Sequence, residues 1–385
     1  MSTIRKNMRQ FGMIIALIAI TILFQILTGG TMLLPANITN LILQNAHILI
    51  LAIGMMLVII TGRVDLSVGS LLGFTSALSG VFIVSFSLPL WIAMPLVLLI
   101  GALVGAWNGY WIAYRNIPFF VVTLASMLVL TGLTMAVLGG GTISTFPSAF
   151  TRMAGGFVPD PFGARGFNIT AITICAIVSI LFVIFEIRHR KISLSFKEHI
   201  TPKPFFLAKL ILIVGAIMLF GYWFAVARGM PNILILLAVL SIIYSLIASR
   251  TVAGRHIYAT GGNPKAAELN GIKTKRVVFW VYVNMGLLAA VAGMMFAARL
   301  DAASPRADAG FELQAIAAAF IGGASPLGGI GKITGAVTGA MVMGVLNNGL
   351  RHMGQGADIQ LAITGLVLLV AVTFDVYVKN KSKSG

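Results

Sequence analysis

The sequence predicts an all-α fold, a polytopic bundle of about 10–12 transmembrane helices. Three observations carry that prediction. The 385-residue chain is 58% hydrophobic and only 10% charged, with a mean hydropathy of +1.00, whereas a soluble domain carries roughly 25% charged residues. Apolar windows of the length a helix needs to cross a bilayer, about 20 residues, recur along almost the whole chain. No stretch around them is long enough for a soluble domain, so residues 1–385 read as one transmembrane domain.

Twelve helical segments follow in order, at about 12–29, 42–61, 67–86, 90–113, 119–138, 169–187, 205–226, 231–249, 277–298, 312–327, 333–350 and 359–378. The first follows "MSTIRKNMRQ" and is apolar from Phe11 to Leu27. It resembles a signal sequence, yet no small-x-small cleavage site follows, so it reads as a retained helix. Pro35-Ala36-Asn37 reads as a short interfacial approach to the second segment. The third opens behind "DLS", where Asp65 is placed to cap the helix and pair with Arg63. A gate or substrate contact is the other reading of a carboxylate near the membrane. The sixth and seventh flank the basic loop "EIRHRKISLSFKEHITPKP". The sixth holds Cys175, the one cysteine, so a disulfide framework or a cysteine metal site within the chain is excluded. The tenth is short and ends in "GGASPLGGIGK", as a half-helix or re-entrant segment would.

The formal net charge is +17. In a soluble protein that would suggest nucleic acid. Here, with both termini inside, 21 Lys and Arg fall in loops assigned to the cytoplasm and 6 in loops assigned outside, while the acidic residues divide evenly. That asymmetry is what the positive-inside rule requires. The basicity therefore sets orientation in a lipid bilayer, and nucleic acid is not a partner.

"GALVGA" at 101–106 and "GAVTGA" at 335–340 each lead into a turn containing an arginine, Arg115 or Arg351, and then another span. The two helices run in opposite directions in this topology, as in a 5+5 inverted repeat. Close helix packing accounts for small-xxx-small spacing equally well. If the repeat holds, the core is 1–140 and 230–385, and the helical hairpin at about 168–226 is an insertion.

One stretch breaks the apolar pattern: "AGRHIYATGGNPKAAELNGIKTKR", from Ala253 to Arg276, within a polar loop at 251–276. A phosphate-cradling loop needs G-x-x-x-x-G-K-[ST]. The nearest approach in the chain is "PLGGIGKI", where Pro326 replaces the first Gly and Ile333 replaces Ser/Thr. Nucleotide binding by this chain is therefore not expected. As structure, the stretch reads as a short helix after Gly262. Asn263 caps it, Pro264 takes the first helical position and Gly271 the left-handed residue after its end. Ala266 and Ala267 leave little bulk for an approaching groove, Leu269 and Ile272 form an apolar foot, and Lys265, Glu268 and Lys273 face solvent. A two-turn helix is marginal alone and needs docking to persist. A capped cytoplasmic loop and a partner-docking helix both fit.

The stretch resembles the cytoplasmic coupling loop of ABC-importer permeases, and "YATGGNPKAAELNGI" is similar to the form found in the monosaccharide permeases of ribose, galactose and xylose systems. "DLSVGS" at 65–70, "GAWNG" at 105–109, "TLASM" at 123–127, "ELQAIAAAFIGGASPLGGIGKITGAVTGA" at 312–340 and "NNGL" at 347–350 match the same family in order. The length and extra hairpin look most like the xylose and multiple-aldose permeases. Arg63 departs from the second Gly of many members. The resemblance implies an inner-membrane permease working as a homodimer, with a cytoplasmic ATPase that binds ATP and Mg and a periplasmic sugar-binding protein. It also implies that Gly262, Asn263, Ala266, Ala267, Glu268, Leu269, Gly271 and Ile272 couple to the ATPase. No cofactor would be bound by this chain itself.

A sugar needs hydrogen-bonding side chains along its path. Asp65, Asn108, Thr123, Ser126, Asn347 and Asn348 are the candidates, with helix–helix hydrogen bonding as their alternative role. His47 reads as a packing residue. The loops at 299–312 and 141–167 carry Arg299, Asp301, Arg306, Asp308, Arg152 and Arg165, which suit docking of a binding protein through charge pairs. An ion-coupled secondary transporter would place more ionisable groups in its spans. A related ABC permease for another cargo, such as branched-chain amino acids or a furanose signal molecule, stays open. A membrane enzyme lacks any nucleophile–base pair or HExxH spacing.

Overall fold

The computed structural model describes residues 2–163, 166–195, 202–305 and 310–383. The first part of the chain forms α1 (Ser2–Leu27), α2 (Pro35–Ile60), α3 (Val68–Gly80, prolonged by a π-helical turn Val81–Ser85), α4 (Leu90–Ala113) and α5 (Phe119–Leu138). After a short helix α6 (Ser148–Gly155) come α7 (Ile169–Ser195), α8 (Lys203–Val226) and α9 (Asn232–Arg250). Then follow α10 (Val252–Gly262), α11 (Pro264–Leu269), α12 (Thr274–Leu300), α13 (Phe311–Ile321), α14 (Ile333–His352) and α15 (Ala357–Lys383). Two dipeptide strands, Ile143–Ser144 and Ala302–Ala303, pair antiparallel.

Among the described residues, 9 helices are long and apolar enough to cross a membrane, and Gly12–Leu27, Phe311–Ile321 and Asp358–Val370 are shorter apolar helices. Each of the twelve predicted segments falls on one of them. Three local readings need correction. Pro35 is not an interfacial approach but the first residue of α2 itself, where a missing N–H costs nothing. The tenth segment stops at Ile321, because Gly322 closes onto the Ala318 carbonyl and Gly323 takes a φ of +81°. The stretch before Asn263 is not loop: it is the 11-residue helix α10, which Thr251 caps by accepting the Gly254 N–H at 3.2 Å.

The chain forms two compact units. The larger comprises Met1–Met32, Leu41–Gly155 and Ile233–Gly385. Its most buried span is α2, in which Ile50, Leu51, Ala52, Ile53, Met55 and Met56 are all 0% exposed. Helix contact here depends on missing side chains. A Cβ on Gly105 of α4 would lie 2.3 Å from the Tyr282 carbonyl oxygen of α12, and one on Gly286 would lie 2.1 Å from the Gly101 oxygen. In the second glycine run, a Cβ on Gly339 of α14 would lie 1.9 Å from the Ala318 oxygen of α13. Without a hydrophobic force between helices in lipid, such close backbone approach is a main source of association.

The smaller unit is Leu33–Asn40 with Gly156–Asn232. Within it α7 and α8 pack against each other, with Gly221 seated on Cys175 and Lys209 Nζ 2.7 Å from Glu186 Oε1. Their outward faces are apolar, with Ile180, Phe185, Ile211 and Leu212 exposed, as a bilayer would require.

Candidate functional site

The segment between α9 and α12 is built from local capping. Asn263 is extended and its Oδ1 accepts the Ala266 N–H at 3.0 Å, while Pro264 occupies the first turn of α11. At the other end Gly271 takes a φ of +80°, its N–H reaches the Glu268 carbonyl at 2.9 Å, and the Ile272 N–H reaches that of Ala267 at 3.0 Å. The Thr274 hydroxyl donates to the Glu268 carboxylate, tying α11 to the first turn of α12.

The two faces of α11 are not those expected. Leu269, read as part of an apolar foot, is 90% exposed; Ala267, read as an open approach surface, is 4% exposed. Two residues along a helix turn the side chain by about 200°, so only one of the pair can face inward. The foot is Ala267 with half-buried Ile272, and Ala266 is half-buried at the flank.

Backbone contacts tie α10 to the membrane core. Gly261 packs directly on the Ile60 carbonyl at the end of α2, and the same oxygen accepts the Gly329 N–H at 2.8 Å. A Cβ on Gly328 would lie 2.7 Å from the Gly261 oxygen. Tyr258 Oη donates to the Gly331 carbonyl at 2.7 Å. The glycines of "PLGGIGK" thus serve a three-way backbone junction.

Inside the larger unit, three of the six path candidates are brought together. Asp65 Oδ1 accepts from the Ser67 N–H at 2.9 Å and the Ser67 hydroxyl at 2.6 Å. Asn108 Nδ2 donates to Ser67 Oγ at 2.9 Å, and the Ser126 hydroxyl donates to Asn108 Oδ1 at 2.5 Å. Asp65 therefore does not cap α3; its carboxylate closes a turn onto Ser67, the residue at the cap position. Nor does it pair with Arg63, whose Nη1 donates to the Thr61 carbonyl at 2.9 Å. Asp65 lies between the spans α2 and α3, and burial pushes its carboxyl up to about 6 against the opposing Ser67 hydrogen bonds. Ser126 opens on a groove of about 420 Å³ whose walls include Trp107 and Trp111.

The other candidates stand apart from this chain of bonds. Thr123 is buried and donates back to the Phe119 carbonyl at 2.9 Å. Asn347 donates to Gln314 Oε1 at 2.8 Å, beside buried Asn348 on α14. His47 packs between the rings of Phe296 and Phe311, at 4.8 and 4.5 Å, as a packing residue should.

Residues 37–372 match the family described as branched-chain amino acid transport system / permease component. The chain belongs to this permease family. The xylose transport system permease protein XylH of Escherichia coli K12 is 38% identical over 378 residues, 98% of this chain and 94% of that protein. XylH of Haemophilus influenzae is 36% identical over 380 residues, covering 97% and 98%. The ribose import permease protein RbsC of Escherichia coli K12 is 32% identical over 341 residues, covering 88% and 85%. No solved structure matches the chain.

In this permease the charged loop residues divide. Asp301 Oδ1 accepts the Phe146 N–H at 2.7 Å and so pins the two short strands together. Arg165, Arg306 and Asp308 lie outside the described residues. Two contributors carry little signal in the sequence: Ser67 lies within "DLSVGS", and Gly261 lies within the polar stretch before Asn263. Only the doubled glycine of Gly261-Gly262, at the end of a polar segment, hinted at a backbone contact.

Proposed function

We propose that this permease is the membrane-spanning subunit of an ATP-driven importer that carries a monosaccharide, an aldose such as xylose, across the inner membrane. Near full-length similarity to xylose and ribose permeases supports the cargo class. The family's broader description keeps branched-chain amino acids as the alternative cargo. The carrying observation for mechanism is the capped helix α11, with Leu269 standing out 90% exposed at its end.

The chain holds no phosphate-cradling motif, so ATP and Mg bind in a separate cytoplasmic ATPase that α11 touches. Coupling then needs a rigid lever. Force on α11 passes to α10, and from Gly261 to the end of α2, the most buried span. A periplasmic binding protein delivers the sugar, and two copies of the permease enclose its path. Both termini lie in the cytoplasm, as the basic loops require. The α7–α8 hairpin is an insertion in a core of 1–140 and 230–385. Indole rings beside a hydroxyl, as at Trp107, Trp111 and Ser126, offer a sugar ring an apolar face and a hydrogen bond. An ion-coupled carrier is disfavoured by His47, whose packing between two rings leaves it without a relay partner among the described residues.

The test is uptake of radiolabelled xylose, galactose, arabinose, ribose and leucine into vesicles holding the permease, its ATPase and its binding protein. Vanadate-sensitive aldose uptake is expected. Counterflow without the ATPase would overturn the ATP-driven reading, and leucine uptake alone would overturn the cargo.

A further inference from the structure

A cavity of about 540 Å³ lies within the larger unit at the junction of α9, α10 and α12, beside α11. Its lining is divided by chemistry. Lys273 and Arg276 are exposed, and His256 is half-buried. Leu57, Ile257 and Val281, 3%, 7% and 4% exposed, form the apolar depth. Trp280 lines the cavity while remaining 55% exposed.

The three basic side chains make no hydrogen bond or ion pair among the described residues. From Arg250 to Arg276 the chain has six Lys and Arg against one carboxylate, Glu268, and that carboxylate is held by Thr274. Deeper in, Asn284 Oδ1 accepts the Tyr244 hydroxyl, but its buried Nδ2 has no partner. A donor is thus left inside an otherwise apolar wall. The cavity also sits at a defined depth, where α9 ends at Arg250 and α12 begins at Thr274. By length and composition both helices are candidate membrane spans, so the cavity lies beside the ends of two of them.

We infer that this cavity binds an anionic phospholipid of the leaflet in which these spans end. The phosphate would face Lys273, Arg276 and His256, an ester oxygen would meet Asn284 Nδ2, and the acyl chain would lie along Val281 and Trp280. Basic pockets between transmembrane helices bind such headgroups, and each cation near the surface favours an anionic lipid. A free phosphate uses the basic rim but leaves the apolar depth and the Asn284 donor unmatched. Because Lys273 directly precedes α12 and follows α11, a bound lipid braces the joint that the proposed coupling role requires to be rigid.

Brominated lipids report the site through Trp280 in nanodiscs, with no need for transport. Failure of the sugar assignment would therefore leave the measurement untouched, and the reverse holds too. Quenching by brominated phosphatidylglycerol is compared with that by brominated phosphatidylcholine at equal mole fraction, as the difference between the native chain and Trp280→Phe. Preferential quenching by the anionic lipid is expected. Lys273→Gln with Arg276→Gln should weaken that preference roughly tenfold or more, with helix content and melting temperature retained. Lys273→Gln alone should give a smaller loss if the double variant misfolds. Equal quenching by both lipids, or an unchanged preference in a folded double variant, would overturn the inference. Displacement of the lipid by inorganic phosphate would reassign the rim to a free anion. Loss of quenching on assembly with the ATPase or a second copy, whatever the headgroup, would reassign the cavity to a protein contact.

Discussion

Gly261 of α10 lies so close to the carbonyl of Ile60 that a Cβ at Gly261 would sit 1.6 Å from the Ile60 oxygen. No side chain fits that gap. The contact joins the basic segment between α9 and α12 to the end of the most buried span, which makes it the expected point of force transfer.

Gly261→Ala must push α10 away from α2. Overpacking of this kind costs about 1–3 kcal/mol, and uptake should fall more than tenfold as the lever loosens. Gly262→Ala is the matched control for stability, since nothing lies within 4 Å of a Cβ there. Melting temperature measured on both variants, with vesicle uptake on Gly261→Ala, checks the contact; equal melting temperatures would remove the special role of Gly261.

Leu269→Asp should abolish association with the ATPase in a pull-down while leaving the permease stable, because that side chain is 90% exposed. Ala267→Arg should act differently, destabilising the segment by burying a charge at a site only 4% exposed. Retained ATPase capture by Leu269→Asp would refute docking through this helix.

Asp65 carries a pH dependence whose sign is opposite to that of most carboxylates. Its carboxyl is raised from 3.8 to about 6, so the folded protein holds the proton more tightly than the unfolded chain. The stability this contributes is present below about pH 4 and is lost as pH rises through 6, an effect of roughly 3 kcal/mol. The melting temperature in nanodiscs should fall between about pH 4 and 6.5, and Asp65→Asn should flatten that slope. An unchanged slope would mean that other groups carry it.

Asn108→Ala leaves two buried hydroxyls, Ser67 and Ser126, without their bridge. A loss of about 1–3 kcal/mol is expected. Ser126→Ala removes only the terminal hydroxyl, the one that opens on the Trp107–Trp111 groove. That change leaves the buried Asn108 Oδ1 without its donor, so some stability is lost in either case; if sugar passes there, apparent KM for uptake rises as well. A fall in melting temperature with unchanged KM would make Ser126 a packing residue.

The helices were legible because their causes are local. An apolar run of sufficient length must pair its own backbone in lipid, and the Asn263, Pro264 and Gly271 signals act within a few residues of one another. The short tenth segment was legible too, from the glycines that end it. The faces of α11 were not, since Leu269 and Ala267 are both apolar and only the neighbouring helices choose between them. Nor was the polar chain legible as a connection. Asp65 and Ser67 are near in sequence, but Asn108 and Ser126 reach them only because α3, α4 and α5 pack together. Gly261 and Ile60 stand on opposite sides of six candidate spans in the chain, and their contact depends on where tertiary packing brings two backbones. Composition and periodicity dictate which segments enter the membrane, whereas the Gly261–Ile60 contact, the outward leucine and the buried hydrogen-bond chain arise from contacts between residues that no local signal relates.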